Sequence, residues 1–175
     1  MLLVVKIILL TIVFLASMAI GFFISNRFST RVSELEDIIS ALEIFETKIS
    51  YTYDSLIDTF MYISENLKTK IYRIFFISAE HFRENKNMSA GDVFRNVVDE
   101  EKIFLELKDK DIEILKGLSV SLGQTDLENQ IKNIRLVQQM LMTQLKDATE
   151  EKSRSYKMYR NMGVLTGLIL IILLI

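Results

Sequence analysis

The chain has 175 residues, of which half are hydrophobic and a quarter are charged, and its formal net charge is −2. This balance offers no basic surface to DNA or RNA, so we expect no nucleic-acid partner. The absence of cysteine excludes disulfides, thiolate zinc sites and cysteine nucleophiles.

The N-terminal apolar segment, residues 7–24, carries no charge and approaches the length needed to cross a bilayer. A cleaved export signal is the alternative, because the small residues of "ASMA" follow an apolar stretch. The apolar run continues past Ala19, which a signal peptidase site rarely tolerates. We therefore expect residues 1–26 to be a retained transmembrane anchor.

The middle region, residues 27–160, contains no proline, and its apolar residues recur at helical spacing. It predicts an all-α fold: a helical-bundle domain of about six helices between two terminal transmembrane helices. Ser33, Ser89 and Thr125 each precede an acidic residue by three positions, the spacing of a capping box, and so mark predicted helix starts. Gly123 is expected to end the helix before the last one.

The last helix is predicted to be the longest and to continue into the membrane. Its apolar residues keep a heptad-like spacing from Leu127 to Ala148, interrupted at Gln138. The terminal apolar run begins at Gly163 and rises only about 20 Å, less than a bilayer core of about 30 Å. Because Arg160 can extend toward the headgroups, residues 161–175 are predicted to form a short transmembrane segment.

Orientation and packing of the anchors follow from basic and small residues. Basic residues flank the middle region on both sides, which predicts that it is cytoplasmic. Ser17 and Gly21, and likewise Gly163 and Gly167, are separated by three residues, a spacing that favours close packing of membrane helices. The alternative is that such small residues are simply common in membrane helices.

The sequence contains few residues that could form a catalytic site. His81 is the single histidine, no glycine-rich phosphate loop is present, and the acidic clusters fall near predicted helix starts or on polar faces. We therefore expect no catalytic residue, no bound metal and no cofactor, and predict that the protein is not an enzyme.

Four segments resemble the stage III sporulation protein AB family of endospore-forming bacteria. They are "ASMAIGFFISNRF", "ELEDIISALEIFETKISY", "LGQTDLENQIKNI" and "MYRNMGVLTGLILIILLI". The resemblance covers both ends of the chain well, whereas residues 52–109 match mainly by helical pattern.

This resemblance implies a place in the sporulation channel, in the mother-cell membrane around the forespore. Family members look like the inner-membrane platform proteins of type II secretion and type IV pilus machines. The implied function is a non-enzymatic platform component that couples an ATPase, stage III sporulation protein AA, to other membrane proteins of the channel. The lipid bilayer is a further expected partner, and assembly into a homo-oligomer stays open.

The resemblance also nominates partner-binding residues. Glu46 and Tyr51 match the family's first-helix motif, and Thr125, Asp126 and Gln130 match the turn that opens the long helix. One hypothesis is that this turn contacts the ATPase. The alternative is that Thr125 or Asp126 only caps the helix.

Two other functional classes remain open from the sequence. A membrane-tethered coiled-coil adaptor or sensor unrelated to secretion would form parallel homodimers through Leu127–Ala148. A membrane enzyme is the least supported class, because the nucleophile and metal-ligand constellations are missing.

Overall fold

The computed structural model describes residues 2–52, 54–84, 88–123 and 126–174, with the side chains of residues 2–9, 52, 156, 160, 163, 170, 171, 173 and 174 left out. Regular structure in these residues is helical throughout, which confirms the predicted all-α class. The six α-helices are α1 (Leu2–Thr47), α2 (Leu56–Asn66), α3 (Tyr72–Glu84), α4 (Ala90–Glu101), α5 (Asp109–Lys116) and α6 (Leu127–Leu174). A π-helical turn, Lys48–Thr52, extends α1, and two short 3₁₀ helices, Lys102–Phe104 and Gly117–Val120, follow α4 and α5.

The chain divides into two compact units. The terminal unit contains the residues up to Thr30 together with those from Ala148 onward, and the central unit is Arg31–Asp147. The boundaries predicted from the sequence, after residues 26 and 160, stay a prediction.

The terminal unit contains the apolar ends of α1 and α6. One helical stretch in the described residues, Leu10–Tyr51, is long and apolar enough to cross a membrane, and its most apolar 18-residue window has a mean hydropathy of 1.6. The second transmembrane helix predicted at residues 161–175 is not shown by this criterion.

Small residues allow the two helices of the terminal unit to approach closely. A Cβ added to Gly167 would lie 2.8 Å from Cδ2 of Phe14 and 3.4 Å from Cβ of Ser17. Nearer the central part of the chain, the rings of Phe28 and Tyr159 stack with their centroids 5.6 Å apart. Gly21 is buried, whereas Gly163 lies outside the described side chains. The packing role predicted for the four small residues stays a prediction.

The core of the central unit is built around phenylalanine rings from four helices. Phe60 of α2 lies at its centre, with the centroids of Phe45, Phe75 and Phe94 at 5.4, 5.2 and 5.9 Å. All four side chains are fully buried. Edge-to-face pairs of this kind contribute about 1 kcal/mol each beyond the burial of their area, so this cluster holds α1–α4 together.

Two helices of the central unit begin at a serine that precedes an acidic residue by three positions. Ser55 and Ser89 begin α2 and α4, and their hydroxyls accept hydrogen bonds from the amides of Asp58 and Asp92, both at 3.1 Å. The cap predicted at Ser89 is therefore confirmed. The helix start predicted at Ser33 is wrong, because α1 continues unbroken through that residue.

Candidate interaction surfaces

The end of α1 is joined to α6 by an ion pair. Nη2 of Arg135 lies 2.6 Å from Oε1 of Glu46, and Arg135 Nε also donates to this oxygen at 2.8 Å. The arginine side chain is 65% exposed, whereas the carboxylate is 22% exposed. Glu46, predicted to bind a partner, therefore already has an intramolecular partner but remains accessible beside it.

The turn before α6 is held by hydrogen bonds. Oδ1 of Asp126 accepts the amide of Asn129 at 2.9 Å, so Asp126 caps α6. The side chain of Gln130 donates to the carbonyl of Ser121 at 3.1 Å. Gly123 has a φ of 71°, a left-handed conformation that favours glycine. Thr125 lies outside the described residues.

Tyr51 is the most exposed aromatic side chain described in the central unit. It is 81% exposed and lies in the π-helical turn after α1. Nζ of Lys48 in the same turn lies 3.0 Å from the carboxylate of Asp54 and 4.3 Å from the centre of the Tyr62 ring. These contacts stabilise the turn that presents Tyr51.

We use the name α1–α6 surface for the described residues that the family motifs predicted to bind a partner, together with the arginine that binds one of them: Glu46, Tyr51, Asp126, Gln130 and Arg135. These residues lie at the end of α1, in the turn that follows it, and along the first part of α6. Tyr51 follows Glu46 by five positions in the chain. Gln130 precedes Arg135 by five residues, about 7.5 Å along α6. The structure thus connects Glu46 to α6 through Arg135, while Asp126 and Gln130 stabilise the start of that helix.

A second group of polar contacts, which the sequence analysis missed, lies on α1. We call Arg31, Glu34 and Asp37 the polar stripe, since their spacing of three residues places them on one side of the helix. Arg31 binds the buried carboxylate of Asp111, and Glu34 accepts the amide of Glu106 at 2.8 Å. One oxygen of Asp37 accepts the amides of Lys68 and Thr69 at 2.9 and 2.6 Å.

The polar stripe has a different role from the one the sequence suggested. Glu34 and Asp37 belong to an acidic cluster next to the helix start predicted at Ser33, but they lie inside α1 and bind the backbone of two distant loops. A signal was available, because these charges share the helical period of the neighbouring apolar stripe. Local spacing does not identify the backbone amides that donate to them, since these amides are 31 to 72 residues away in the chain.

The Glu34 carboxyl of the polar stripe has a raised pKa. Burial raises the pKa of Glu34 from its ordinary value of 4.5 to about 7, while the amide of Glu106 partly offsets this rise. The nearby carboxylates of Glu106 and Asp37 raise the pKa of Glu34 further, and the charge of Lys70 lowers it. Glu34 therefore changes its charge near neutral pH.

The described residues include histidine, aspartate and glutamate, the side chains that can bind metal ions in a chain without cysteine. Among them, no group of three or more histidine, aspartate or glutamate side chains is placed to hold a metal ion. His81 lies in the last turn of α3. The predictions about catalysis, cofactors and partners stay predictions.

Together, the fold and these surfaces define a small helical-bundle protein with an apolar N-terminal helix. A model of the stage III sporulation protein AB family matches residues 6–175. The chain is 26% identical over 154 residues to stage III sporulation protein AB of Bacillus subtilis (strain 168), an alignment covering 88% of this chain and 90% of that protein. The chain belongs to the stage III sporulation protein AB family, as the sequence motifs predicted.

A solved structure gives the same fold. It is titled stage III sporulation protein AB and superimposes with a TM-score of 0.67 at 22% sequence identity. The match covers 71% of this chain and 98% of the solved one. At this identity, the likeness supports the helical fold of the covered part alone.

Proposed function

We propose that this protein is a non-enzymatic membrane platform component of the sporulation channel between mother cell and forespore. In this role, it links a secretion-type ATPase, stage III sporulation protein AA, to the membrane proteins of the channel. Membership of a sporulation protein family supports a role in endospore formation. The platform role rests on the resemblance of the family to secretion platforms, together with the membrane helix and the exposed surfaces described above.

The proposal that α1 inserts into a membrane rests on the exposure of its apolar side chains. Only 11% of its most apolar window is buried by the rest of the protein. Ile20 and Phe23 are 61% and 75% exposed. A core helix of a soluble protein would be covered, so this surface favours contact with lipid. Ile169 and Ile172 of α6, 57% and 74% exposed, support a second anchor in the same way.

Topology is tested by cysteine labelling in intact cells, because the chain has no native cysteine. Single cysteines replace Met88, a 46% exposed residue of the central unit, and Ile175. Met88→Cys is preferred to a cysteine at Ser89, whose hydroxyl caps α4. A membrane-impermeant reagent should label Met88→Cys only after lysis and Ile175→Cys before it. Labelling of Met88→Cys in intact cells would place the central unit outside and refute the platform proposal.

The α1–α6 surface is the proposed ATPase contact. Tyr51 and Arg135 offer an exposed aromatic ring and an accessible cation, the residue types that most often dominate protein interfaces. Asp126 and Gln130 support the contact indirectly in this proposal, because their side chains stabilise the start of α6.

Co-purification of the full-length protein with the ATPase from membranes tests this contact. Tyr51→Ala should reduce recovery of the ATPase about tenfold, the effect of losing an interface residue that contributes about 1.4 kcal/mol. Phe76→Ala is the matched control, since Phe76 is an aromatic residue of α3 that is 43% exposed and belongs to neither this surface nor its neighbouring turn. Asp126→Ser retains a capping oxygen and should bind normally. Equal recovery with Tyr51→Ala and the control would refute the proposed contact.

A membrane-tethered coiled-coil adaptor is the second candidate function. The packing of α6 argues against the parallel homodimer that this function predicts. Ile134 and Leu141, on the apolar seam of α6, are fully buried within this chain. Gln138, which was expected to interrupt the seam, is also buried. A parallel homodimer through Leu127–Ala148 would need the same side chains. Disulfide trapping of single cysteines along the seam is expected to give no dimer.

A further inference from the structure

A second exposed surface lies where the start of α3 meets the 3₁₀ helix Lys102–Phe104. Ile103 is 75% exposed, Phe104 49% and Tyr72 43%. The guanidinium of Arg73 connects the two segments, since it lies 5.3 Å from the centre of the Phe104 ring and donates to Glu101 at 2.9 Å. Three large apolar side chains are therefore held in solvent by a fixed framework.

Exposed lysines flank these apolar side chains. Lys68 and Lys70 lie in the turn before α3, and Lys108 and Lys110 lie in the segment that follows Phe104. Asp109 is an exposed acid between the second pair. We call these four lysines, with Tyr72, Ile103 and Phe104, the lysine–aromatic surface.

The polar stripe of α1 fixes the two lysine-bearing segments side by side. Asp37 binds the amides at Lys68 and Thr69, while Glu34, one turn earlier, binds the amide of Glu106. The charge of Lys70 acts directly on Glu34. Because the anchoring carboxylates are one turn apart on the same helix, the two lysine pairs belong to one surface.

Covalent tethering limits how far this surface can be from the membrane. Arg31, whose side chain binds Asp111 next to Lys110, follows the end of the apolar segment at Ile24 by seven positions. Even a fully extended chain of that length spans no more than about 25 Å. The tether therefore keeps the 105–111 segment close to any bilayer into which the apolar segment inserts.

We propose that the lysine–aromatic surface docks on the anionic headgroups of the membrane that holds the anchors. This inference rests on the membrane insertion in the proposed function. Aromatic side chains favour the headgroup level, and lysines are attracted by the negative potential of anionic lipids. Apolar and cationic side chains combined on one tethered surface match these two preferences. Docking would fix the orientation of the central unit against the bilayer.

Fluorescence quenching in vesicles tests the docking. The full-length protein, carrying one labelled cysteine at Ile103, is reconstituted into vesicles of phosphatidylethanolamine and phosphatidylglycerol that contain a lipid with a headgroup nitroxide quencher. Leu136→Cys is the matched control, because Leu136 is an apolar residue of α6 with 54% exposure. Ile20→Cys, measured with a nitroxide on the acyl chain, reports insertion of the anchor.

The label at Ile103 should be quenched several-fold more strongly than the label at Leu136. About half of this difference should disappear in 0.5 M salt, because lysine attraction to lipid is screened there. Lys68→Glu combined with Lys108→Glu should have a similar effect. Equal quenching at Ile103 and Leu136, with strong quenching at Ile20, would overturn the docking and leave the anchor intact.

Two other results would also overturn the proposed docking, and each would identify a different reason for its failure. If Ile20→Cys is not quenched, the anchor is not inserted, and the membrane part of the proposed function fails together with the docking. If the label at Ile103 is protected from aqueous iodide but not reached by the lipid quencher, a protein covers this surface.

Discussion

Arg31 and Asp111 form a bidentate ion pair inside the central unit, although 80 residues separate them in the chain. Nε of Arg31 lies 2.8 Å from one carboxylate oxygen and Nη2 lies 3.1 Å from the other. The side chains are 7% and 0% exposed. The same carboxylate accepts the amide of Lys108 at 2.9 Å, which begins α5. One buried group therefore fixes both a long-range contact and a helix start.

Breaking this ion pair should be strongly destabilising. Arg31→Met leaves the Asp111 carboxylate buried without its cation, and we expect the free energy of unfolding to fall by about 3–5 kcal/mol. Urea unfolding of the full-length protein in detergent micelles measures the loss. Lys132→Met, which removes an exposed partner of Glu128, is the control and should change stability by less than about 0.5 kcal/mol.

The double variant distinguishes lost charge pairing from lost packing. Asp111→Asn retains an oxygen that can accept the amide of Lys108, so Arg31→Met with Asp111→Asn should be less destabilised than Arg31→Met alone. A double variant that is as unstable as the single one would show that the arginine acts through packing.

Glu34 should make stability depend on pH near neutrality. Its pKa is about 7 in the folded protein against an ordinary 4.5, so the folded state binds more protons between these values. The stability that Glu34 contributes, on the order of 3 kcal/mol, is therefore fully present below about pH 4.5 and is lost as pH rises through 7. Thermal unfolding between pH 5 and pH 8 should show this decline.

Glu34→Gln isolates this contribution, because the amide oxygen can still accept from the amide of Glu106. The variant should show a flatter pH dependence and should gain stability relative to the original protein as pH increases. An unchanged slope in Glu34→Gln would assign the pH dependence to other groups.

Gly91 should tolerate no side chain, whereas Gly117 should accept one. A Cβ at Gly91 would overlap the carbonyl oxygen of Ser119, while a Cβ at Gly117 would meet Cγ2 of Val137 at 3.6 Å, an ordinary contact. Gly91→Ala should lower the free energy of unfolding by about 1–3 kcal/mol. Gly117→Ala should be neutral or slightly stabilising. Urea unfolding measures both, and equal effects would contradict the close packing of α4 against this turn.

Gly167 should control the approach of the two helices in the terminal unit. Gly167→Ala places a Cβ 2.8 Å from the Phe14 ring, and we expect about 1–2 kcal/mol of destabilisation measured by detergent-induced unfolding. Phe14→Ala should suppress this effect, so that the double variant is no less stable than Phe14→Ala alone. Ile172→Ala, at a 74% exposed position, is the neutral control. Additive losses in the double variant would contradict direct contact.

Local patterns predicted the helices of the central unit well. Phe45, Phe60, Phe75 and Phe94 belong to the apolar residues that recur at helical spacing, and all four meet in the core. Ser33 misled the prediction because its spacing to an acid resembles a cap, although α1 continues through it. A capping pattern specifies which groups could pair locally, but continuous apolar spacing and packing decide whether the helix stops.

Contacts between distant residues were beyond sequence reasoning. Glu46 was selected by its motif, yet its partner Arg135 is 89 residues away and was not foreseen. Asp126 caps α6, which agrees with the alternative considered for that turn. Motifs therefore identified residues worth examining, while the three-dimensional arrangement decided which of them are engaged within the chain.

The polar stripe has a consequence for the order in which the protein can fold during synthesis. When residues 31–37 leave the ribosome, none of their partners has emerged yet, since the first of them in the chain is Lys68 and the last is Asp111. The apolar side of α1 next to them likewise waits for Phe60, Phe75 and Phe94. Because contacts between distant residues form late, the nascent chain must keep this helix from aggregating until most of the central unit has been translated.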